Sequence, residues 1–303
     1  MSRRHRGLPI HGLLLLDKDG GLSSNAAVQR AKRLFQAAKV GHTGSLDPIA
    51  TGVLPLCFGE ATKLSGFLLD TDKGYRVRVR LGRTTTTADI EGETVSERAV
   101  PALTAESVET VLRQFRGEQL QIPPMYSALK HQGQRLYALA RQGREIEREP
   151  RAVTIYRLDL LEFGPDWLDL DVHCSKGTYI RSLAVDIGER LGCGGHVEIL
   201  RRTAVGRFRL DACLTLEQLE EMAEAERLGR LLPMDAMVEG LPAVHLTPEQ
   251  SDRFLHGQAL QFDQSQPGDL LRVYDGHGRF LGLADGEGGL VRPRRVMCLA
   301  EGR

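Results

Sequence analysis

A short run of small and polar residues holds the side chains best suited to chemistry. Residues 41–52 contain one carboxylate, Asp47, and one imidazole, His42, among four turn-forming residues: Gly41, Gly44, Pro48 and Gly52. Because glycine and proline favour turns and interrupt helices and strands, we expect a loop of defined shape. A single positioned carboxylate can act as a nucleophile or as a general base. By itself, an Asp-Pro pair is more often a turn initiator.

Two common kinds of site are not supported around Asp47. The run lacks the Gly-Lys-Ser/Thr ending of a phosphate-binding Walker loop. Near Asp47 the sequence also has no cysteine or histidine at the spacing typical of metal ligands. The residues therefore predict a carboxylate-centred site without a metal ion.

The composition is that of an ordinary globular protein without bulk charge. The 303 residues include 40 Lys and Arg against 40 Asp and Glu, and 41% are hydrophobic, which allows one large domain or a large and a small one. A net charge of +0 excludes nucleic-acid binding driven by overall charge, so such binding needs local basic patches. Three basic patches are residues 2–6, the alternating Arg76, Arg78 and Arg80, and residues 292–295. A solvated surface is the more common explanation for any one of them.

The cysteines and the N-terminal segment favour the cytoplasm. The five cysteines are scattered and form no Cys-x-x-Cys pair, which favours unpaired thiols in a reducing compartment. The apolar run 13–16 is too short for the core of a signal peptide, and no segment reaches membrane-spanning length. We therefore expect a soluble cytoplasmic protein without a membrane partner.

Regular elements are predicted on both sides of the loop. Residues 13–16 form a buried strand, and Ser23 or Ser24 caps a helix that has apolar residues at helical spacing on one face and basic residues on the other. A second helix is expected over about 60–70. Beyond it a strand begins at Tyr75, where apolar residues alternate with the three arginines. Tyr75 lies on the apolar face of that strand.

The rest of the chain predicts an α+β protein of two unequal parts. A charged segment that contains several glycines covers about residues 120–152, and we call it the charged excursion. After it, strands and helices alternate irregularly, which indicates the α+β class. The pattern weakens near 233–241, where we place a boundary between a large domain, 1–236, and a small one, 240–303. Closely spaced short strands with glycine-rich turns predict that the small domain is a β-barrel-like module.

Three separated segments of the sequence carry specific motifs. The first is Gly-His-Thr-Gly-Ser-Leu-Asp-Pro at 41–48, with 50–52 and 59–63; the second is Pro-Pro-Met-Tyr-Ser-Ala-Leu-Lys at 123–130, with Tyr137, Ala140, Arg141 and Gly143; the third is 174–183 with 200–202. Together they resemble the motifs of one known family, the TruB family of tRNA pseudouridine synthases. Thr85, Thr87, Asp89 and Gly92 also match the family's Thr-x-Thr-x-Asp-x-x-Gly pattern. The resemblance covers nearly the whole chain, and the C-terminal module is similar to the PUA-type RNA-binding domain of bacterial members.

The resemblance implies a catalytic domain with a mixed, mostly antiparallel sheet and an active-site cleft across it. It implies that a monomer without a guide RNA isomerises uridine 55, in the T arm of tRNA, to pseudouridine. The reaction breaks the N1–C1′ bond, turns the uracil and rejoins it through C5, so no cofactor is implied. Because a stacked uridine is out of reach, the base must first be flipped into a pocket.

Carried over residue by residue, the resemblance implies three catalytic residues. Asp47 is the essential carboxylate, and Arg181 lies beside it and favours its charged form. Tyr75 lies against the flipped uracil and helps to remove the C5 proton. The implied substrate-binding residues are His42, which fills or buttresses the vacated stack, Lys18, which supports the loop, Tyr179, and Leu200, which lines the base pocket. Basic residues of the first helix and the PUA-like module would hold RNA phosphates.

Departures from the family pattern are few, and other interpretations stay open. Asp19 stands where Pro is usual, Gly195 where Ala is common, and Ser45 at a Thr or Ala position, so no functional group is lost. A non-catalytic RNA-binding or RNA-folding protein is the main alternative, and in it Asp47 would be dispensable. A guide-RNA-dependent synthase of the dyskerin type is a third interpretation, but the charged excursion is typical of the stand-alone bacterial form.

Overall fold

Strands dominate this chain, and its helices are short. The computed structural model describes residues 7–127, 129–140, 142–262 and 269–298. The basic patch 2–6 and two residues of the family-like segments, Ala128 and Arg141, lie outside these residues.

The elements follow one another as an irregular mixture, as expected for the α+β class. Within the described residues the strands are β1 Gly12–Lys18, β2 Val40–His42, β3 Thr51–Phe58, β4 Lys73–Leu81, β5 Arg83–Thr85, β6 Thr94–Glu97, β7 Gly117–Gln121, β8 Lys130–His131, β9 Gln134–Arg135, β10 Arg151–Phe163, β11 Trp167–Cys174, β12 Gly195–Val205, β13 Phe208–Arg209, β14 Ala243–His245, β15 Leu260–Gln261, β16 Leu270–Tyr274, β17 Phe280–Glu287 and β18 Leu290–Val296. The α-helices are α1 Ser24–Leu34, α2 Ser65–Leu69, α3 Ala105–Leu112, α4 Leu136–Ala140, α5 Ile180–Arg190, α6 Leu216–Glu221, α7 Glu224–Leu228 and α8 Pro248–Leu255. Short 3-10 helices cover Gly59–Leu64, Arg113–Phe115, Leu210–Ala212 and Met234–Val238.

Nine of the described strands form one mixed sheet. Their order is β1-β3-β12-β4-β11-β10-β7, with β2 paired to β3 and β13 to β12. Every pairing is antiparallel except that of β3 with β12, where Thr51 and Gly52 face Arg201 and Arg202. This parallel join brings the end of the Asp47 loop next to β12, although the two segments are far apart in the sequence.

The first strands of this sheet are covered on both faces. Leu14 and Leu16 pack into a core with helices α1, α3, α5 and α6. Leu13 and Leu15 pack on the opposite face, in a second core that includes residues of the C-terminal sheet. A strand covered on both sides is apolar at successive positions, which explains why residues 13–16 show no alternation.

Strand β4 instead presents one charged face. Arg78 donates to both carboxylate oxygens of Asp169 on β11, at 2.7 and 2.6 Å. Arg80 forms ion pairs with Asp166 and Glu198, each at 2.7 Å. The anionic partners of these two arginines are therefore neighbouring carboxylates of this chain.

A second sheet is built from the C-terminal strands in the order β14-β16-β17-β18-β15. It has a small core of its own around Phe254 and Val273. Tyr274 and Phe280 pack in the second core of the large sheet, and the Tyr274 hydroxyl donates to Asp235 Oδ2 at 2.6 Å. Apolar packing and a hydrogen bond thus attach the small module to the large sheet near the predicted boundary.

The predicted class, α+β with a mixed, mostly antiparallel sheet, is confirmed, and most local elements are found. The cap of α1 is Ser23, whose side chain accepts from the Ala26 N–H. The single helix predicted over 60–70 is wrong, because Gly59–Leu64 is a 3-10 helix and α2 covers Ser65–Leu69. Neither piece has a side-chain cap, and glycines at 59 and 66 weaken the α-helical preference.

Gly52 supports a prediction about the parallel join of β3 and β12. Its φ is +102°, and an added Cβ would lie far inside van der Waals contact with the Arg202 carbonyl oxygen. We expect Gly52→Ala to lower the free energy of unfolding by about 3 kcal/mol, measured by urea denaturation. The control is Gly66→Ala in α2, where there is open space and the change should be neutral or slightly stabilising. Equal stability of the two variants would contradict this description of the join.

Candidate active site

The carboxylate lies in a loop that closes a hairpin. Strand β2 pairs with β3, with His42 opposite Leu56, and residues 43–50 connect them. The Asp47 carbonyl accepts from the Ala50 N–H at 3.1 Å. The His42 Nδ1 accepts from the Gly44 N–H at 3.3 Å. The imidazole of His42 therefore caps this loop through one of its two ring nitrogens.

Asp47 and Arg181 form a two-point ion pair. The Arg181 Nε lies 2.9 Å from Asp47 Oδ2, and the Arg181 Nη2 donates to Asp47 Oδ1 at 3.2 Å. The side chain of Arg181 is only 6% exposed, whereas that of Asp47 is 37% exposed. A substrate can therefore reach the carboxylate while the guanidinium stays enclosed.

The same guanidinium binds two other segments of the chain. Nη1 donates to the Thr87 carbonyl at 2.9 Å, and Nη2 donates to the Tyr126 carbonyl at 2.6 Å. Asp89 Oδ2 lies 3.7 Å from Nη1 and adds a second negative charge. Since a buried charge is costly unless it is paired and hydrogen-bonded, these contacts stabilise Arg181 in its enclosed position.

Opposing effects act on the pKa of Asp47. Burial raises this pKa, the positive charge and hydrogen bonds of Arg181 lower it, and the Asp89 carboxylate raises it again. The net direction is upward, so the carboxylate is a stronger base than an aspartate in water. Arg181 still favours the ionised form at neutral pH and fixes its orientation. Such a group is suited to nucleophilic or general-base catalysis.

Lys18 supports the loop on the C-terminal side of Asp47. Its fully buried ammonium donates to three carbonyl groups: Asp19 at 2.8 Å, Leu22 at 2.7 Å and Pro48 at 3.3 Å. Pro48 directly follows Asp47, so the last contact restrains the backbone of the catalytic candidate. Burial lowers the pKa of Lys18 to about 8, because the charged ammonium loses its hydration.

Tyr75 and Leu200 lie on the adjacent central strands β4 and β12 and are buried in the same core. Tyr75 is opposite Arg202, and Leu200 is opposite Val77. Burial raises the pKa of the Tyr75 hydroxyl, Arg202 lowers it, and Asp47 adds a small upward effect. The hydroxyl therefore lies within the electrostatic field of both Arg202 and Asp47.

Tyr179 immediately precedes α5. It is the N-cap, and its backbone N–H donates to the Gln121 Oε1 at 2.7 Å while its carbonyl accepts from the Gln121 Nε2 at 3.0 Å. Burial raises the pKa of the Tyr179 phenol. Because Arg181 follows two residues later, this anchor helps to place the guanidinium.

Arg202 is a buried arginine that our sequence interpretation did not assign to the site. Its Nε donates to the Val53 carbonyl at 2.7 Å, and its Nη groups donate to the carbonyls of Gly44 and Ser45 at 3.2 and 3.4 Å. Arg202 thus holds the first half of the loop. The alternation along β12, which places Arg202 on the buried face with Leu200, is the sequence signal that could have revealed it.

Asp89 is the second residue that the sequence interpretation left out of the site. Its buried carboxylate accepts from the Thr87 hydroxyl at 2.5 Å and from the Glu91 N–H at 3.1 Å, and its other oxygen faces Arg181. The Thr-x-Thr-x-Asp-x-x-Gly pattern drew attention to this position. However, the polar, threonine-rich sequence around Asp89 gives no sign that its carboxylate is buried.

The described part of the chain also sets limits on other kinds of site. Within it, no group of three or more His, Cys, Asp or Glu side chains is arranged to hold a metal ion. Among the same residues, none of the helices combines the length and the apolar character needed to cross a membrane.

Comparison with solved structures defines the class of the fold. A Cbf5–Nop10–Gar1 complex contains a chain that matches with a TM-score of 0.72 and 26% identity, over 94% of this chain and 84% of that one. An H/ACA RNP bound to a substrate RNA containing 2′-deoxyuridine matches with a TM-score of 0.73 and 23% identity, over 99% and 92% of the two chains. The fold is that of a pseudouridine synthase with a C-terminal PUA-like module.

Sequence comparison defines the family. The model for the N-terminal domain of TruB family pseudouridylate synthases matches residues 32–180, and two TruB C-terminal domain models match 181–239 and 242–297. The tRNA pseudouridine synthase B of Chromohalobacter salexigens is 51% identical over 99% of this chain and 98% of its own length. That of Dechloromonas aromatica is 53% identical over 96% and 97%. This chain belongs to the TruB family.

Lys18 should affect how stability depends on pH. Its pKa is about 8 in the folded protein and about 10.4 in an unfolded chain. Between these values the unfolded state binds more protons, so the free energy of unfolding rises with pH. For Lys18 alone the rise from about pH 7 to about pH 10 amounts to about 2.5 kcal/mol.

Lys18→Met removes this titration and provides the measurement. Urea denaturation at about pH 7 and about pH 10 should show the wild type gaining about 2.5 kcal/mol relative to Lys18→Met. The control is Lys176→Met, because Lys176 lies on the surface in an exposed ion pair with Asp70. A difference between wild type and Lys18→Met that stays constant with pH would contradict the lowered pKa.

Proposed function

We propose that this pseudouridine synthase isomerises uridine 55 in the T arm of tRNA, and that Asp47 is its essential carboxylate. The observation that carries the proposal is the two-point ion pair between a partly exposed Asp47 and an enclosed Arg181. The curated relatives at about half identity are named tRNA pseudouridine synthase B, which supports tRNA as the substrate.

The reaction is balanced without a cofactor. The N1–C1′ bond of the uridine breaks, the uracil turns, and a C5–C1′ bond forms. The proton on C5 is then removed, and N1 of the product carries one. Asp47 acts on the nucleotide as the glycosidic bond is rearranged, and Arg181 holds the carboxylate in its ionised, oriented form.

For the other site residues we propose the roles that the family resemblance implies, and their positions are compatible with these roles. Tyr75 lies against the flipped uracil, and its hydroxyl, near the charges of Asp47 and Arg202, helps to remove the C5 proton. Leu200 lines the pocket on the neighbouring strand, and Tyr179 borders it at the start of α5. His42, held at the loop by Gly44, fills the space that the flipped base leaves in the RNA stack.

We propose that three parts of the chain bind the tRNA: helix α1, the charged excursion and the PUA-like module. Among the basic residues of α1, Arg30 forms an ion pair with Glu220 at 2.7 Å. We therefore expect Lys32 and Arg33 to make the contacts of this helix with RNA phosphates. We assign residues 1–236 to the catalytic domain, with the excursion at 120–152 gripping the RNA, and residues 240–303 to the PUA-like RNA-binding domain.

The same family evidence supports a stand-alone enzyme. The tRNA pseudouridine synthase B sequences match this chain at about twice the identity of the chains in the Cbf5–Nop10–Gar1 and H/ACA RNP complexes, so we propose a monomer that works without a guide RNA. The five cysteines are free thiols, which supports a reducing compartment such as the cytoplasm.

Asp47→Asn tests the proposed reaction directly. Wild type incubated with an unmodified tRNA transcript should form pseudouridine at one position of the T arm, and Asp47→Asn should lower the rate at least about 10³-fold. Both proteins should bind the transcript with similar affinity. The control is Asp70→Asn, because Asp70 is exposed and pairs with Lys176, and it should keep full activity.

The same experiment separates the enzyme from the non-catalytic alternative. Pseudouridine mapping and filter binding are performed on the same samples. A wild-type protein that bound the transcript and left every uridine unchanged would favour an RNA-binding or RNA-folding protein.

Tyr75→Phe and Tyr75→Ala separate the two roles of this side chain. Phe keeps the aromatic face and removes the hydroxyl, so the single-turnover rate should fall about 10²-fold or more with unchanged tRNA affinity. Ala also removes a buried ring, so it should lower the rate further and destabilise the fold by about 3–5 kcal/mol. Full activity of Tyr75→Phe would exclude proton transfer by the hydroxyl.

A further inference from the structure

Ser24 holds the residue that precedes Asp47. The Ser24 Oγ accepts from the Leu46 N–H at 2.7 Å and donates to the Leu46 carbonyl at 3.1 Å. Ser24 is the first residue of α1 and is 3% exposed. The side chain of Leu46 is buried in the main core. One hydroxyl therefore restrains the peptide groups on both sides of Leu46, while packing restrains its side chain.

We propose that Ser24 is a positioning residue for the reaction, which acts on Asp47 through Leu46. The Leu46 carbonyl and the Asp47 nitrogen belong to one planar peptide unit, so a fixed Leu46 carbonyl fixes the direction in which the chain enters Asp47. On the other side, the Pro48 carbonyl accepts from the Gly21 N–H at 2.9 Å and from Lys18. Asp47 is thus restrained from both neighbours. The inference rests on the proposed function of Asp47.

The hydroxyl acts here as a neighbouring strand would in a sheet, because it offers a donor and an acceptor to the same residue. Without it, the Leu46 N–H and carbonyl would lose a buried partner, which is unfavourable. The loop would then shift towards other donors, acceptors or water. A displacement of about 1 Å from the productive geometry can cost about 10²-fold in rate.

Burial predicts which kinetic step Ser24 affects. At 3% exposure its side chain is closed off from a bound RNA, so its removal should leave tRNA affinity unchanged. The loss should fall on the chemical step, where the position of the Asp47 carboxylate against Arg181 matters. A looser pair with Arg181 should also shift the titration of Asp47 to higher pH, because Arg181 favours the ionised form.

The chain offers a matched control in the adjacent serine. The Ser23 side chain caps α1 by accepting from the Ala26 N–H at 3.1 Å, and Ser23 is exposed. Ser23→Ala thus removes the same group from the same helix terminus and leaves the contact to Leu46 in place. It should lower the melting temperature through loss of the cap and leave the rate per folded molecule unchanged.

The test compares wild type, Ser23→Ala, Ser24→Ala and Ser24→Thr. Single-turnover rates and KM on a tRNA transcript are measured well below the melting temperatures and normalised to folded protein. The Asp47 carboxyl is titrated by NMR in the same variants without RNA. Ser24→Ala should lower the single-turnover rate about 10- to 100-fold at constant KM and raise the titration midpoint of Asp47. Ser24→Thr, which keeps a hydroxyl, should recover most of the rate.

Clear outcomes would overturn the proposal. One is an unchanged rate and an unchanged Asp47 titration in Ser24→Ala; another is an equal rate loss in Ser23→Ala, which would indicate a general effect of helix stability. A wild type that makes no pseudouridine would reject the proposed function instead. In that case the titration, which needs no turnover, still decides whether Ser24 holds the carboxylate.

Discussion

The enclosed charge of Arg181 is the interaction on which the rest of the site depends. A guanidinium that stays charged and is removed from water must be surrounded by acceptors. Here they come from Asp47, Thr87, Asp89 and Tyr126, which belong to three separate segments of the chain. The hairpin loop, the threonine-rich loop and the charged excursion must therefore converge on the first turn of α5. The partly exposed carboxylate of Asp47 is held in place because it supplies two of the acceptors of the enclosed Arg181 guanidinium.

Around this pair, the loop is made rigid by groups outside it. Glycine and small polar residues leave space for a substrate but do not restrain a backbone. The restraint comes from buried polar side chains: Lys18 on β1, Ser24 on α1 and Arg202 on β12 each form hydrogen bonds with backbone groups of residues 44–48. At position 19, where the family resemblance implies a proline, the hydrogen bond from Lys18 is kept because it goes to the backbone carbonyl, which Asp and Pro both have.

How far the sequence could predict these features depended on the range of each interaction. The strand 13–16, the helix after Ser23 and the alternating strand from Tyr75 were predictable, because periodicity and caps reflect neighbours a few residues away. The arginines of β4 were ambiguous, because Asp169 lies on another strand. Arg202 was missed for a related reason: the alternation along β12 indicates that its side chain is buried, but it does not show which distant carbonyl groups accept its hydrogen bonds.

The amino-acid sequence by itself determined which reactive groups are present, which short elements carry them, and the family to which the ordered motifs belong. Those properties depend only on residue types and on spacings of two to four residues. Only the tertiary structure decided that Arg181 meets Asp47 at 2.9 Å, that Lys18 is buried with a pKa of about 8, and that Ser24 and not Ser23 holds the loop. Hydrogen bonds and electrostatic fields act through space, so they depend on which distant segments the sheet brings together.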